Sequence, residues 1–147
     1  MNEDSPLGFR FLEHMTDAEI EAYGKDIDEA FENAAKAVED LMVDLASIHP
    51  VDKSELKIEA HDLGSLLYEW IESLISMQDS DGLLFSKFEC RISKMDAEKY
   101  TLQAKLLGEK FDPSRHEQKT AVKAPTFHDM EITENDSLVT MHFLVDL

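Results

Sequence analysis

The sequence predicts an α+β domain built on one or more largely antiparallel sheets with two main helices. Three observations predict it: period-two apolar runs at both ends of the chain, two stretches with apolar residues spaced by three or four, and turn residues between them. With 147 residues, 43% of them hydrophobic, the chain fits one domain. Residues 1–8, "MNEDSPLG", read as a flexible lead-in without a secretory pattern, and the domain as residues 9–147.

In "FRFLEHMTDAEIEAYG" Phe9 and Phe11, then Ala18, Ile20 and Ala22, alternate with polar neighbours, which predicts a hairpin around the loop "EHMTD". Gly24 supplies a turn, and Asp26 with Glu29 supplies a capping pair for a first helix. Its stripe is Ile27, Phe31, Ala34, Val38, Leu41 and Leu45. "SELKIEA" predicts a strand with Leu56, Ile58 and Ala60 on one face and Glu55, Lys57 and Glu59 on the other. Asp62 caps a second helix whose stripe runs from Leu63 through Trp70 to Met77, and "QDSDG" ends it.

Period two then returns at Phe88, Cys90 and Ile92 and at Tyr100, Leu102 and Ala104. "GEKFDPSRHEQK" breaks it and predicts a long connection free to move. "TAVKAPTFHDMEI" and "SLVTMHFLVDL" supply the closing strands, and Pro125 demotes the first of them to an edge or a strand end.

Several functions are disfavoured by composition. Fourteen basic against 32 acidic residues give a charge of −18, which opposes direct adhesion to nucleic acid or anionic lipid. Any RNA would be held by a basic partner. No apolar run approaches the roughly 20 residues of a spanning helix. Cys90, the single cysteine, suits a reducing cytosol and leaves no thiolate cluster. The histidines lack HxH and HExxH spacing, and the glycines form neither a phosphate loop nor a dinucleotide fingerprint.

The remaining chemistry is anionic. The run "LVTMHFLV" is too apolar to leave in water, so it is expected to dock as a strand and to fix Asp146 and the terminal carboxylate of Leu147 in place. Asp17 closes the first loop, where a sheet can bring it beside that strand end. Carboxylates so gathered need a proton, a Lys or Arg, or a metal ion, and oxygen donors without cysteine favour Ca²⁺ or Mg²⁺ over zinc. The plainer alternative leaves Asp17 bonding its own turn and Asp146 in solvent. Lys123, in "AVKAPTFH", either snorkels to water at a sheet edge or faces the acids, a phosphate or a partner's carboxylate. His14 has no adjacent nucleophile and reads as a polar turn residue.

Taken in order, "EHMTD" with "AEIEAYG", "DIDEAFENAAKAV", "DLGSLLYEWIESLI", "GEKFDPSRH", "VKAPTFHDM" and the final "LVDL" resemble the archease family over nearly the whole chain. The resemblance implies a small acidic, cytoplasmic α+β protein without catalysis of its own. Such a protein is an accessory factor that promotes guanylylation and multiple turnover of an RtcB-type, GTP-dependent RNA ligase in tRNA splicing, touching tRNA only through the ligase. It also implies that Asp17, Asp146 and an oxygen of Leu147 ligate a divalent cation, Ca²⁺ with Mg²⁺ or Mn²⁺ as alternatives, and that Lys123 contacts the ligase or a phosphate. The chain departs from the family loop D-H-T-A-D at Glu13, Met15 and Thr16, and has Phe127 where Tyr is common. Two rival readings are a chaperone-like acidic interaction module without a functional metal, and a metal-dependent phosphoesterase.

Overall fold

A computed structural model describes residues 8–12 and 16–147, and all structural statements concern these. Apart from Gly8 the expected lead-in lies outside them, as do Glu13, His14 and Met15 of the first loop. The elements are β1 (Phe9–Leu12), β2 (Asp17–Gly24), α1 (Ile27–Met42), a 3-10 turn (Leu45–Ser47), β3 (Asp52–Ala60), α2 (Leu63–Asp81), β4 (Leu83–Asp96), β5 (Lys99–Lys110), β6 (Ala124–Glu134) and β7 (Val139–Asp146). They form two antiparallel sheets, one ordered β1-β2-β7-β6 and the other β3-β5-β4. The α+β expectation with two main helices is therefore met.

Both helix starts follow the expected chemistry. The Asp26 carboxylate accepts from Glu29 N at 2.9 Å while Glu29 accepts from Lys25 N at 2.9 Å, so the first turn's free N–H groups and the entering chain are held together. Asp62 accepts from Ser65 N at 2.7 Å. Gly82 ends α2 at φ 66, a left-handed conformation that costs a side-chain-bearing residue more than it costs glycine. Gly24 serves closeness rather than a left-handed turn, because a Cβ there would come within 2.3 Å of Ala30 N.

α1 lies between the sheets, against β2 of one and β4 of the other. Ala30, Ala34, Ala35 and Ala37 are buried and keep the separation small, while Phe31 and Val38 fill the core beside Ile20, Met141 and Phe143. α2 adds Leu66, Leu67, Trp70, Ile71 and Leu74, and the Trp70 indole N–H donates to Phe31 O at 3.0 Å, pinning one helix to the other.

Two carboxylates of α1 seal the open edge of β4. Asp28 accepts from Ile92 N at 2.9 Å, and Glu32 from Cys90 N at 2.8 Å. Positions four apart on a helix meet alternate residues of a strand, so an exposed ladder edge is satisfied by side chains.

Two expectations are corrected. Leu45 does not extend the α1 stripe: the helix stops at Met42, Val43 bridges to Gln118, and Leu45 opens the 3-10 turn. The connection "GEKFDPSRHEQK" is tied down. Gly108 to Lys110 belong to β5, and the buried His116 accepts from Asp112 N at 2.9 Å through Nδ1 while its Nε2 meets Glu109 at 2.9 Å. Arg115 also pairs with Glu109 and, with burial opposing and the His49 N–H and His116 assisting, holds that carboxyl down at about 2. Beyond it Lys119 N and Thr120 N donate to Met42 O and Leu41 O, taking up carbonyls that the end of α1 leaves free.

Glu39 is the outlier of α1. Fully buried, with neither carboxyl oxygen hydrogen-bonded among the described residues, it is pushed up to about 8 by burial. A folded-state pKa above the unfolded one favours the fold fully at pH below the ordinary carboxyl range, and that contribution is lost as pH rises through 8. Glu39→Gln is expected to flatten this dependence. In denaturant titrations across that range the variant should gain on the parent with rising pH, by up to about 5 kcal/mol beyond pH 8.

Candidate functional site

β7 runs antiparallel beside β2 for eight consecutive rungs, and its last rung sets Asp146 directly opposite Asp17. Side chains opposite one another share a face, with Cβ atoms about 4.5–5.5 Å apart. The register is fixed from within, because Ala18, Ile20 and Ala22 and their partners Val145, Phe143 and Met141 are all buried. Sliding by one residue would turn that whole set into water.

The end of the chain is fastened on both sides. Leu147 N donates to Thr16 O at 3.3 Å toward β2, and Lys123 N donates to Asp146 O at 2.8 Å on the side of β6, whose Ala124 pairs with Asp146. The Leu147 side chain packs against the core. Half-buried Asp17, exposed Asp146 and half-buried Leu147 thus belong to one corner of the four-stranded sheet.

Lys123 precedes β6 rather than lying in a strand. It is exposed, and among the described residues its ammonium has no carboxylate within ion-pair distance. Pro125 lies in β6, the edge strand of its sheet, as its missing N–H requires.

Donors of this corner are oxygens with negative charge, which fits a hard divalent cation. Among the described residues no group of three or more His, Cys, Asp or Glu side chains is placed to hold a metal. Among the described residues the corner offers the side chains of Asp17 and Asp146, and further ligands would come from water or from a bound partner.

Two neighbours escaped notice in the sequence. On the same face of β2 as Asp17, Glu19 pairs with Nε2 of His142 on β7, while His142 Nδ1 lies 2.9 Å from Asp129 O. With an acceptor at each ring nitrogen, the imidazolium is the form that donates to both. Burial would lower the pKa of His142, but the Asp129 carbonyl and Glu19 raise it above the ordinary imidazole value. Asp129 belongs to a bulge in which residues 127–130 stand opposite Phe143 alone, and it holds φ 57. Further along, Glu21 accepts from Arg10 at 2.9 Å and from the Tyr23 hydroxyl at 2.6 Å; burial first, and Glu21 next, push Tyr23 up to about 12. The same-face spacing of Asp17, Glu19 and Glu21, and of His142 and Asp146, was a readable signal.

The model of the Archease protein family (MTH1598/TM1083) matches residues 9–147. This chain belongs to the archease family. Protein archease of Sulfurisphaera tokodaii is 47% identical over 139 residues, covering 95% of this chain and 98% of the relative. That of Aeropyrum pernix is 43% identical, covering 95% and 97%. The solution structure of Methanobacterium thermoautotrophicum protein 1598 superposes with a TM-score of 0.83 at 37% identity, covering 96% of this chain and 99% of that one. The crystal structure of an archease from Thermotoga maritima, described as a possible chaperone, gives 0.59 at 17% identity over 92% and 94%, a likeness of fold. Among the described residues no helix is long and apolar enough to cross a membrane.

His142 is expected to titrate above the ordinary imidazole range by NMR, and Glu19→Gln to bring its midpoint down. Because the folded-state pKa is raised, the pair's contribution to stability is complete below the unfolded midpoint and is lost as pH rises through the folded one.

Proposed function

We propose that this protein is a non-catalytic, cytoplasmic accessory factor of an RtcB-type RNA ligase, promoting the ligase's GTP-dependent guanylylation and its multiple turnover during tRNA splicing. Membership of the archease family supports the reading. One observation in the fold carries it to particular residues: Asp17 and Asp146 occupy one rung, next to the chain terminus.

In this reading Asp17, Asp146 and a terminal oxygen of Leu147 hold a divalent cation, Ca²⁺ by preference, with Mg²⁺ or Mn²⁺ accepted. When bound, the ion supplies positive charge for the pyrophosphate of a nucleotide in the ligase's own site. The protein's part is to orient: paired strands fix both carboxylates, and Leu147 anchors the terminus through its side chain. Lys123, exposed beside Asp146, offers its ammonium to a ligase carboxylate or to a phosphate. A net charge of −18 steers the domain toward a basic, RNA-binding ligase surface while keeping it off tRNA itself.

The alternative is a chaperone-like interaction module without a functional metal. Phe127 favours it, being 55% exposed and stacked on Tyr68 with ring centroids 4.4 Å apart.

Ligation assays with cognate ligase, under single- and multiple-turnover conditions, separate the two. Asp17→Asn and Asp146→Asn are each expected to lower stimulation by about ten- to a hundredfold, the loss typical of a disturbed metal ligand shell, with folding unchanged by circular dichroism. Calorimetric titration with Ca²⁺ should show heat for the parent and none for the double variant. Full stimulation by folded Asp17→Ala or Asp146→Ala protein would refute the metal reading. Lys123→Ala is expected to weaken ligase binding while leaving the calcium heat intact.

A further inference from the structure

The two edges of the three-stranded sheet are treated differently. Carboxylates of α1 cover the edge of β4, whereas β3, packed against α2 on one face, pairs only with β5: among the described residues no other strand and no side chain hydrogen-bonds to the backbone of Asp52–Ala60. No residue of β3 is buried. This includes Leu56 and Ile58, whose cross-strand partners Ala104 and Leu102 are both buried. A nine-residue ladder edge with half-covered apolar side chains is a template for strand addition.

Natural edges often carry charge to repel other strands, and β3 carries it on Lys53, Glu55, Lys57 and Glu59. Here the signs alternate so that the strand complements itself. When two copies of β3 run antiparallel with Leu56 opposite Leu56, Lys53 faces Glu59 and Glu55 faces Lys57 on both sides of the twofold axis. All nine residues then overlap. Shifting the pairing by two residues either way puts like charges face to face, Glu55 against Glu55 and Lys53 against Lys57, or Lys57 against Lys57 and Glu55 against Glu59. A shift by one turns the apolar side outward. Cross-strand charge therefore selects one register, and that register is the symmetric one.

The geometry points to β3 as an isologous docking edge for a second copy of this chain, joining two three-stranded sheets into one continuous six-stranded sheet through a Leu56-centred antiparallel pair. Leu56 and Ser54 with Ile58 meet their counterparts on the core side, and four opposite-charge pairs line the solvent side. β3 is in the other sheet from Asp17 and Asp146, so this association and the proposed ligase activation can be lost independently.

Sedimentation equilibrium of the full chain at about 0.15 M salt, where repulsion between two acidic copies is screened, tests it. The parent should associate reversibly to a dimer. Lys57→Glu and Glu55→Lys, both at exposed positions, should each weaken self-association at least about tenfold by placing like charges opposite one another. An equimolar mixture of the two variants should recover dimer, as should a single chain carrying both substitutions, since each restores every pair. Recovery in the mixture also shows that both variants are folded. A parent that stays monomeric up to about 1 mM, single variants that dimerise as well as the parent, or a mixture that fails to recover would each overturn the assignment.

Discussion

The pairing of β2 with β7 is the constraint on which the rest of the structure depends. Every second side chain of both strands enters the core, so apolar burial on one face fixes the register of the other face, where the polar groups stand. Asp17 and Asp146 are brought together by the same contacts that hold the sheet, although they lie 129 positions apart in sequence. Charge alone would separate them, and the stability of the ladder overrides that repulsion.

α1 extends this constraint to the second sheet. Its alanines allow close approach to β2 while Asp28 and Glu32 reach the backbone of β4. A helix with acids on the flank facing a strand edge would ordinarily be read as half solvated. Here those acids do what a neighbouring strand would do, which explains why so acidic a helix can be central to the molecule. The loop beyond β5 is held by similar means, with His116 bonded through both ring nitrogens and the last carbonyls of α1 occupied by Lys119 and Thr120. Its polar, proline-containing sequence resembles a mobile connection because the partners that immobilise it are remote in the chain.

The corner formed by Asp17, Asp146 and Leu147 is therefore held by backbone hydrogen bonds on the side of the sheet. Glu19 and His142 flank it, and His142 also grips the bulge of β6 through Asp129 O. Three extra residues in an edge strand leave Phe127 stacked on Tyr68 at the surface, and the same bulge spoils β6 as a template for strand addition. The edge strand β3 keeps an unbroken register with β5 and, among the described residues, hydrogen-bonds to no other strand, with charges in a self-complementary order.

Periodicity alone determined the α+β class, the two helix caps at Asp26 and Asp62 and most of the apolar positions, because these depend on neighbours within a few residues. It also placed Asp17 at a hairpin end and Asp146 at the tail of a docked strand, since an apolar run must find a core. Whether those two acids share a rung was decided by tertiary structure, through a register that only the pairing of remote strands defines. The burial of Glu39, the Glu19–His142 pair and the early end of α1 at Met42 were decided in the same way, because each depends on what another segment brings to it.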